Sequence, residues 1–109
     1  MTPGEHLLIV PPTGLLEVVH ADKPVDLVAT LAARGDHGEF VSLTHGQVTV
    51  SWVNSEAGWL NPRARAVFAR LTRVHLVFTG TVIFDKIEER LLGEIVADLS
   101  LRESAGGGA

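Results

Sequence analysis

The most regular alternation of hydrophobic and polar residues lies in the middle of the chain. In the segment Gln47–Trp52 every second residue is apolar, which is the period of a half-buried β-strand. Another β-rich segment, 39–44, precedes it, and His45-Gly46 lies between the two. Because glycine adopts positive φ without strain, a two-residue link that ends in glycine is typical of a tight hairpin. The pattern therefore predicts a β-hairpin over about 39–53, with Trp52 on its buried face.

Apolar residues at three- and four-residue spacing before this hairpin predict an amphipathic helix over about 24–34. Asp22 is expected to act as its N-cap, with Pro24 in the first turn. Asp26 adds a negative charge near the positive end of the helix dipole. Gly35 follows the last helical residue and is a natural stop, so local signals bound the predicted helix on both sides.

A second helix is predicted over about 62–72, directly after a polar, turn-rich loop. Asn61 supplies a capping side chain, and Pro62 occupies the first helical position, where a backbone N–H is not needed. Arg63 and Arg70 are expected together on one flank of this helix. Its buried face is predicted to consist of four apolar side chains, Ala64, Val67, Phe68 and Leu71.

The C-terminal part of the chain predicts a third helix over about 86–101. Asp85 is the expected cap, and apolar residues recur at every fourth position from Ile87 to Leu99. Residues 95–101 also alternate in polarity, so a strand in the region 94–102 stays open as an alternative. The small residues of 104–109 are expected to form a disordered tail after a single domain that spans 1–103.

Two further strands are predicted near the N-terminus. The apolar run Leu7–Val10 must end at Pro11-Pro12, because proline has no N–H to donate to a sheet. A second strand is expected over 15–20, and Gly80 marks a bulge, kink or tight turn in the β-rich stretch 74–84. Together these patterns predict an α+β fold with a small, mainly antiparallel sheet, a central hairpin and two or three helices.

The composition is that of an ordinary globular domain. The chain has 109 residues, of which 46% are hydrophobic and 20% charged, a balance too apolar for disorder. It contains no cysteine, which excludes disulfides and thiolate metal sites. No apolar run approaches the roughly 20 residues that span a bilayer, and the first run is too short for a signal-peptide core. The expected location is the cytoplasm, with no membrane contact.

Charge is distributed unevenly along the chain. The net charge is −4, which makes nucleic acid an improbable partner. The stretch 57–84 contains no acidic residue but holds four arginines, whereas 85–103 holds six acids and three bases. Because paired surface charges are the usual outcome, the basic stretch is expected to be balanced in space by the acidic C-terminal segment.

No catalytic or metal-binding motif is present in the sequence. The five histidines are scattered without the paired spacing of a zinc motif, and no nucleophile elbow or phosphate-binding loop occurs. The stretch Gly35-Asp36-His37-Gly38 is interpreted as a helix-to-strand turn, because a phosphate loop needs a longer glycine spacing and a lysine. Catalytic residues, a metal and a cofactor are therefore not predicted.

The segment from Trp52 to Ala64 resembles the signature of a family of small domains of unknown function found in bacterial, plasmid and phage genomes. In that family a strand ends in an Asn-Glu-Glu-Gly-like turn, an Asn-Pro-Arg-Ala sequence opens a helix, and a Gly-x-Val-Ile-Phe-like strand follows. Here the last element is Gly80–Phe84, and the first turn reads Asn-Ser-Glu-Ala-Gly. The resemblance implies an accessory protein of mobile elements and no established activity.

Most of the matched positions have an evident backbone duty. Turn, capping and first-turn chemistry accounts for Asn54, Gly58, Asn61 and Pro62. The side chains without such a duty are the candidate ligand- or partner-binding residues, namely Glu56 and Arg63, together with Trp59 and Arg70. For the loop residue Trp59, a lid over the core is favoured above a contact surface.

These observations favour a non-enzymatic binding or interaction module that recognises a partner protein or a small anionic ligand. Two alternatives stay open. One is a small hydrolase that uses Glu56 as its acid or base. The other is an acidic inhibitor that mimics nucleic acid, against which the acid-free stretch 57–84 argues. Self-association is a further expectation, because the hairpin leaves a sheet edge for pairing.

Overall fold

The computed structural model describes residues 5–21, 25–54 and 58–107. In this part of the chain five strands and three helices follow one another, and their bounds are β1 Glu5–Val10, β2 Glu17–Ala21, α1 Leu27–Ala33, β3 Glu39–His45, β4 Val48–Asn54, α2 Pro62–Thr72, β5 Val82–Asp85 and α3 Glu89–Gly107. The predicted α+β class is confirmed. Within these residues, no helix combines the length and the apolarity that a membrane crossing requires.

The strands form one antiparallel sheet in the order β2-β1-β5-β4-β3. The last strand in sequence, β5, is therefore the central one and pairs with β1 on one side and β4 on the other. Phe84 lies opposite Leu8 in one ladder and opposite Val50 in the other. The hairpins β1–β2 and β3–β4 are thus joined into one sheet only through β5.

Both faces of the sheet are covered by apolar side chains. On one face, α2 and α3 pack against β1, β4 and β5, with Phe68, Phe78 and Phe84 at the centre of the cluster. On the other face, α1 buries Leu31 against a smaller cluster that includes Ile83. Because β5 is enclosed by these two layers, three successive residues of it, 82–84, are all buried.

The central hairpin is confirmed, but its turn lies one residue later than predicted. His45 still pairs with Val48, so the two-residue loop is Gly46-Gln47 rather than His45-Gly46. Gly46 has a φ of +63°, which satisfies the need for a left-handed residue in the loop. Trp52 belongs to the buried side of the hairpin, where its ring meets that of Phe78 edge to face at 4.9 Å.

Helix α2 has the bounds that were predicted, whereas α1 begins later than expected. The N-cap of α1 is Asp26, whose carboxylate accepts a hydrogen bond of 3.0 Å from the Ala29 N–H. Val25 precedes the helix, and the predicted cap and first-turn residues, Asp22 and Pro24, lie outside the described residues. The carboxylate of Asp26 stands directly before the apolar run, which makes it the better cap for that run.

Helix α3 also begins later than predicted, because Asp85 belongs to the sheet. Asp85 ends β5 opposite Leu7 and Thr49, and its carboxylate accepts a hydrogen bond of 2.8 Å from the Lys86 N–H. The region 94–102 is helical, which excludes the alternative strand there. The helix continues to Gly107, past its predicted end at 101 and into the segment 104–109, of which 108–109 lie outside the described residues.

One asparagine side chain connects three separate parts of the fold. Asn61 is 1% exposed, and its Oδ1 accepts a 3.0 Å hydrogen bond from the Ala64 N–H at the start of α2. Its Nδ2 donates to the carbonyl of Val10, where β1 ends, and to that of Gly80, each at 2.8 Å. The Asn61 backbone N–H donates to the carbonyl of Phe78 at 2.9 Å. The cap of α2 is thereby also the joint that holds β1 and the segment before β5 against this helix.

We predict that Asn61→Ala lowers the free energy of unfolding by about 2–4 kcal/mol, because it removes a cap and leaves two buried carbonyls without donors. Asp26→Ala is the matched control, since that exposed side chain caps α1 alone and its loss should cost about 1 kcal/mol. Urea unfolding of both variants measures the difference. Equal losses in the two variants would show that the contacts to Val10 and Gly80 contribute nothing.

Candidate functional site

The segment around Gly80 contacts two loops that line the main cleft of the protein. Gly80 has a φ of +69°, and its N–H donates to the carbonyl of Trp59 at 2.8 Å. The next residue, Thr81, donates its N–H to the carboxylate of Asp36 at 3.2 Å. A Cβ at position 80 would lie 2.7 Å from Asp36 Oδ1, so a side chain there would force the carboxylate of Asp36 to move. The loop after α1 is thus held by a hydrogen bond to the segment that directly precedes β5.

An open cleft of about 490 Å³ lies beside this junction. Four short segments enclose it: Pro12-Thr13 from the β1–β2 loop, 34–37 after α1, Gly58-Trp59 before α2, and Gly80-Thr81. Its volume falls within the range of small-molecule sites, about 300–1,000 Å³. Three glycines are among the lining residues, so backbone groups as well as side chains face the space.

Trp59 is an exposed wall of this cleft and does not cover the core. Its side chain is 81% exposed, which overturns the preferred prediction of a lid. The backbone at this point is held, because the Trp59 carbonyl accepts from Gly80 and the next residue, Leu60, forms an antiparallel bridge with Thr79. A large ring is therefore presented to solvent on a fixed backbone, and a contact surface is the function that this arrangement suits.

The polar groups of the cleft carry both signs of charge. Arg34 lies at one side and forms an ion pair with Glu17 of β2. The exposed side chain of His37 lines the same space. Asp36 uses Oδ2 to accept from Thr81, while Oδ1 accepts no hydrogen bond from the described residues. A bound molecule would thus meet hydrogen-bond donors from Arg34 and His37 as well as a carboxylate oxygen of Asp36.

A second exposed surface is formed by apolar residues that do not line the cleft. Leu60 is 67% exposed and Val77 is 66% exposed, and the two line one shallow depression of about 190 Å³. Four further residues complete its lining, Asn61, Pro62, Arg65 and Phe78. Arg65 forms no ion pair within the described part of the chain. This apolar surface, defined by Leu60 and Val77, is therefore bordered by an uncompensated positive charge.

The predicted site residues are not gathered in one place. Trp59 lines the cleft, whereas Arg63 donates to the carbonyl of Pro11 at 2.9 Å and holds the end of β1 against α2. Arg70 contacts α3, where it pairs with Asp98 at 2.9 Å and with Glu94 at 4.0 Å. The expected balance between basic helix and acidic C-terminal segment is realised at Arg70. Glu56 lies outside the described residues, so the hydrolase hypothesis that depends on it stays a prediction.

No sequence motif indicates that Asp36 and His37 belong to a cleft. Asp36 and His37 were interpreted as a helix-to-strand turn, which is where they lie, but their approach to Gly80 depends on contacts distant in sequence. The one available signal was Gly80 itself, a glycine inside a β-rich segment. Such a glycine indicates a close approach of another group, without indicating which group it is.

Comparison of the chain with protein-family models, with curated proteins and with solved structures found no match in any of the three.

We predict that Gly80→Ala destabilises the protein by about 2–4 kcal/mol, because the new methyl group meets both a left-handed backbone and the carboxylate of Asp36. Gly46→Ala is the matched control. Its φ of +63° is nearly the same, but nothing lies within 4 Å of the added carbon, so it should lose only about 1 kcal/mol.

Thermal and urea unfolding of the two glycine variants separate backbone strain from the contact with Asp36. A third variant, Asp36→Ala combined with Gly80→Ala, should recover part of the loss, because the clashing oxygen is removed. If the two single variants are equally stable, Asp36 does not approach Gly80 as described.

Proposed function

We propose that this protein is a non-enzymatic binding module that takes a nucleotide-sized ligand, with a planar ring and an anionic group, in the cleft beside Trp59. The observation that carries the proposal is a tryptophan ring, 81% exposed, on an anchored backbone at the wall of the largest cleft found among the described residues. An exposed ring of this size offers a flat apolar face on which a planar ligand can stack.

The polar groups near Trp59 suit the remaining parts of such a ligand. Asp36 Oδ1 is available to accept an N–H from the ring. Arg34 uses part of its guanidinium on Glu17, and the group has five N–H donors, so it can also hold an anionic oxygen. His37, which also lines the cleft, offers a further donor. At Gly35 an added Cβ would meet nothing within 4 Å, so a ligand has space to reach the backbone there.

The proposal is consistent with the expected role as an accessory protein. A module that binds a small signalling or metabolic nucleotide needs no catalytic group, and none was predicted from the sequence. The resemblance to domains of plasmids and phages, which supplies that setting, stays a prediction.

The direct test is calorimetric titration of the protein with adenine and guanine nucleosides, their mono-, di- and triphosphates, and inorganic phosphate. We predict that at least one nucleotide binds and that Trp59→Ala weakens its binding by about 5- to 150-fold, the loss expected for one stacked base, about 1–3 kcal/mol. Trp59→Phe should retain most of the affinity, because an aromatic face is kept.

Leu60→Ala is the matched control, since Leu60 is also an exposed apolar residue but does not line the cleft. It should bind as the unchanged protein does. Quenching of tryptophan fluorescence gives a second readout, which Trp59→Phe should abolish while Trp52 remains. The absence of binding by every compound at millimolar concentration would contradict the proposal, as would equal affinities of the Trp59→Ala and Leu60→Ala variants.

A second candidate function is contact with another copy of this chain through the apolar surface of Leu60 and Val77. Its supporting observation is charge: Arg65 at the border is unpaired in the described part of the chain, and Glu88 and Glu89 before and at the start of α3 are exposed acids without an ion-pair partner there. Because Arg65 and these acids carry opposite charges, a head-to-tail arrangement would place one copy's apolar surface and Arg65 beside the other copy's acids.

Sedimentation velocity at increasing concentration tests this second candidate. We predict a dimer or higher assembly that Leu60→Asp dissociates, because a buried carboxylate would replace an apolar contact. Val28→Asp is the control, since Val28 is an exposed apolar residue on α1 away from this surface. A monomer at all concentrations would contradict self-association without bearing on the cleft.

A further inference from the structure

Two histidines that are distant in sequence face each other across the first hairpin. His6 on β1 and His20 on β2 are directly opposite in the antiparallel register. Their Nδ1 atoms are 2.6 Å apart, and the ring centroids are separated by 4.7 Å with the ring planes nearly perpendicular. The two nitrogens therefore face each other directly, an arrangement that the spacing of histidines in the sequence does not reveal.

We propose that His6 and His20 form a two-histidine site for a divalent transition-metal ion, with Zn²⁺ as the reference ion. Imidazole nitrogen is a preferred ligand of zinc, copper and nickel, whereas magnesium and calcium prefer oxygen. A Zn–N bond of about 2.0–2.1 Å with near-tetrahedral angles places two ligand nitrogens roughly 3.3 Å apart. Opening the present contact by less than 1 Å, through small rotations of two surface rings, reaches that separation.

The protonation of the pair is compatible with metal binding. In the metal-free protein one ring must donate Nδ1–H to the other for the two nitrogens to lie this close. When the metal binds, both Nδ1 atoms supply lone pairs, so the donating ring adopts the tautomer protonated at Nε2.

The surroundings leave room for the rest of the coordination shell. His20 is exposed and lines a shallow groove with Glu89 and the Gly93 region of α3. Across the described residues, no group of three or more histidine, cysteine or acidic side chains is arranged to hold a metal. Water is therefore expected to fill the remaining positions. The site should bind less tightly than a four-ligand structural zinc site, and it should be open to exchange.

A metal at this place would connect an edge strand to the interior of the sheet. In the sheet order, β2 has only one neighbour, β1, and the two histidines lie on these two strands. A metal bridge would join residues that are far apart along the chain and oppose the separation of β2 from the sheet. The bound ion would thus stabilise the pairing of the edge strand β2 with β1, and its removal would reverse this effect.

The test is titration of tag-free protein with ZnCl₂, followed by calorimetry and by thermal unfolding. We expect one zinc ion to bind each chain and to raise the melting temperature, with no such effect of MgCl₂. His6→Ala and His20→Ala should each weaken zinc binding by about tenfold or more, because one of two protein ligands is lost. His75→Ala, which removes an exposed histidine elsewhere, should leave binding unchanged.

NMR of the histidine ring protons supplies a readout that does not depend on stability. Zinc should shift the signals of His6 and His20 together at one equivalent and leave those of His37 and His75 in place. His20→Gln serves as a second variant in case an alanine variant does not fold. Equal zinc affinity in the His6→Ala, His20→Ala and His75→Ala proteins would overturn the proposal, and so would the absence of zinc binding at millimolar concentration.

Discussion

The side chain of Asn61 is the contact on which the arrangement of the other elements depends. One amide group caps α2, accepts from Ala64, and donates to the carbonyls of Val10 and Gly80. These partners belong to the end of β1, the start of α2 and the turn before β5. Since β5 is the strand that joins the two hairpins, these contacts hold the segment before β5 beside the end of β1, with which β5 pairs. Substitution of Asn61 is therefore expected to destabilise elements that it does not contact directly.

The cleft is a consequence of the same constraint. With Gly80 held by Asn61, its N–H meets the carbonyl of Trp59, and its missing Cβ leaves space for the carboxylate of Asp36. The backbone of residues 58–61 is thereby anchored while the indole of Trp59 stays in solvent. A binding surface on a fixed backbone loses little conformational entropy on binding, which is the physical reason for assigning recognition to this ring. Arg63 adds to the frame by holding Pro11 next to the cleft.

The features that can be predicted from the sequence are those whose interacting residues are close together along the chain. The central hairpin and α2 were predictable because their signals are local: alternation, a glycine turn, and an Asn-Pro start. The starts of α1 and α3 were misplaced, because Asp26 caps α1 and because Asp85 belongs to β5, which no local signal in the sequence indicates. The meetings of Asp36 with Gly80 and of His6 with His20 depend on tertiary pairing, so no local pattern could have predicted them. The sequence predicts Trp59 as a candidate binding residue. Its exposure depends on the path of the loop backbone, which the sequence alone does not predict.

The measurement that most directly tests the role of Asn61 is hydrogen exchange of its side-chain amide, followed by NMR. The chain contains only two asparagines and one glutamine, so the three side-chain amides are easily distinguished. Both protons of Asn61 Nδ2 should be strongly protected and should exchange only when the domain unfolds, because each is bonded to a buried carbonyl. Asn54 and Gln47, which are exposed, supply the unprotected reference in the same spectrum. Exchange of Asn61 as fast as that of Asn54 would contradict the claim that this side chain joins β1, α2 and β5.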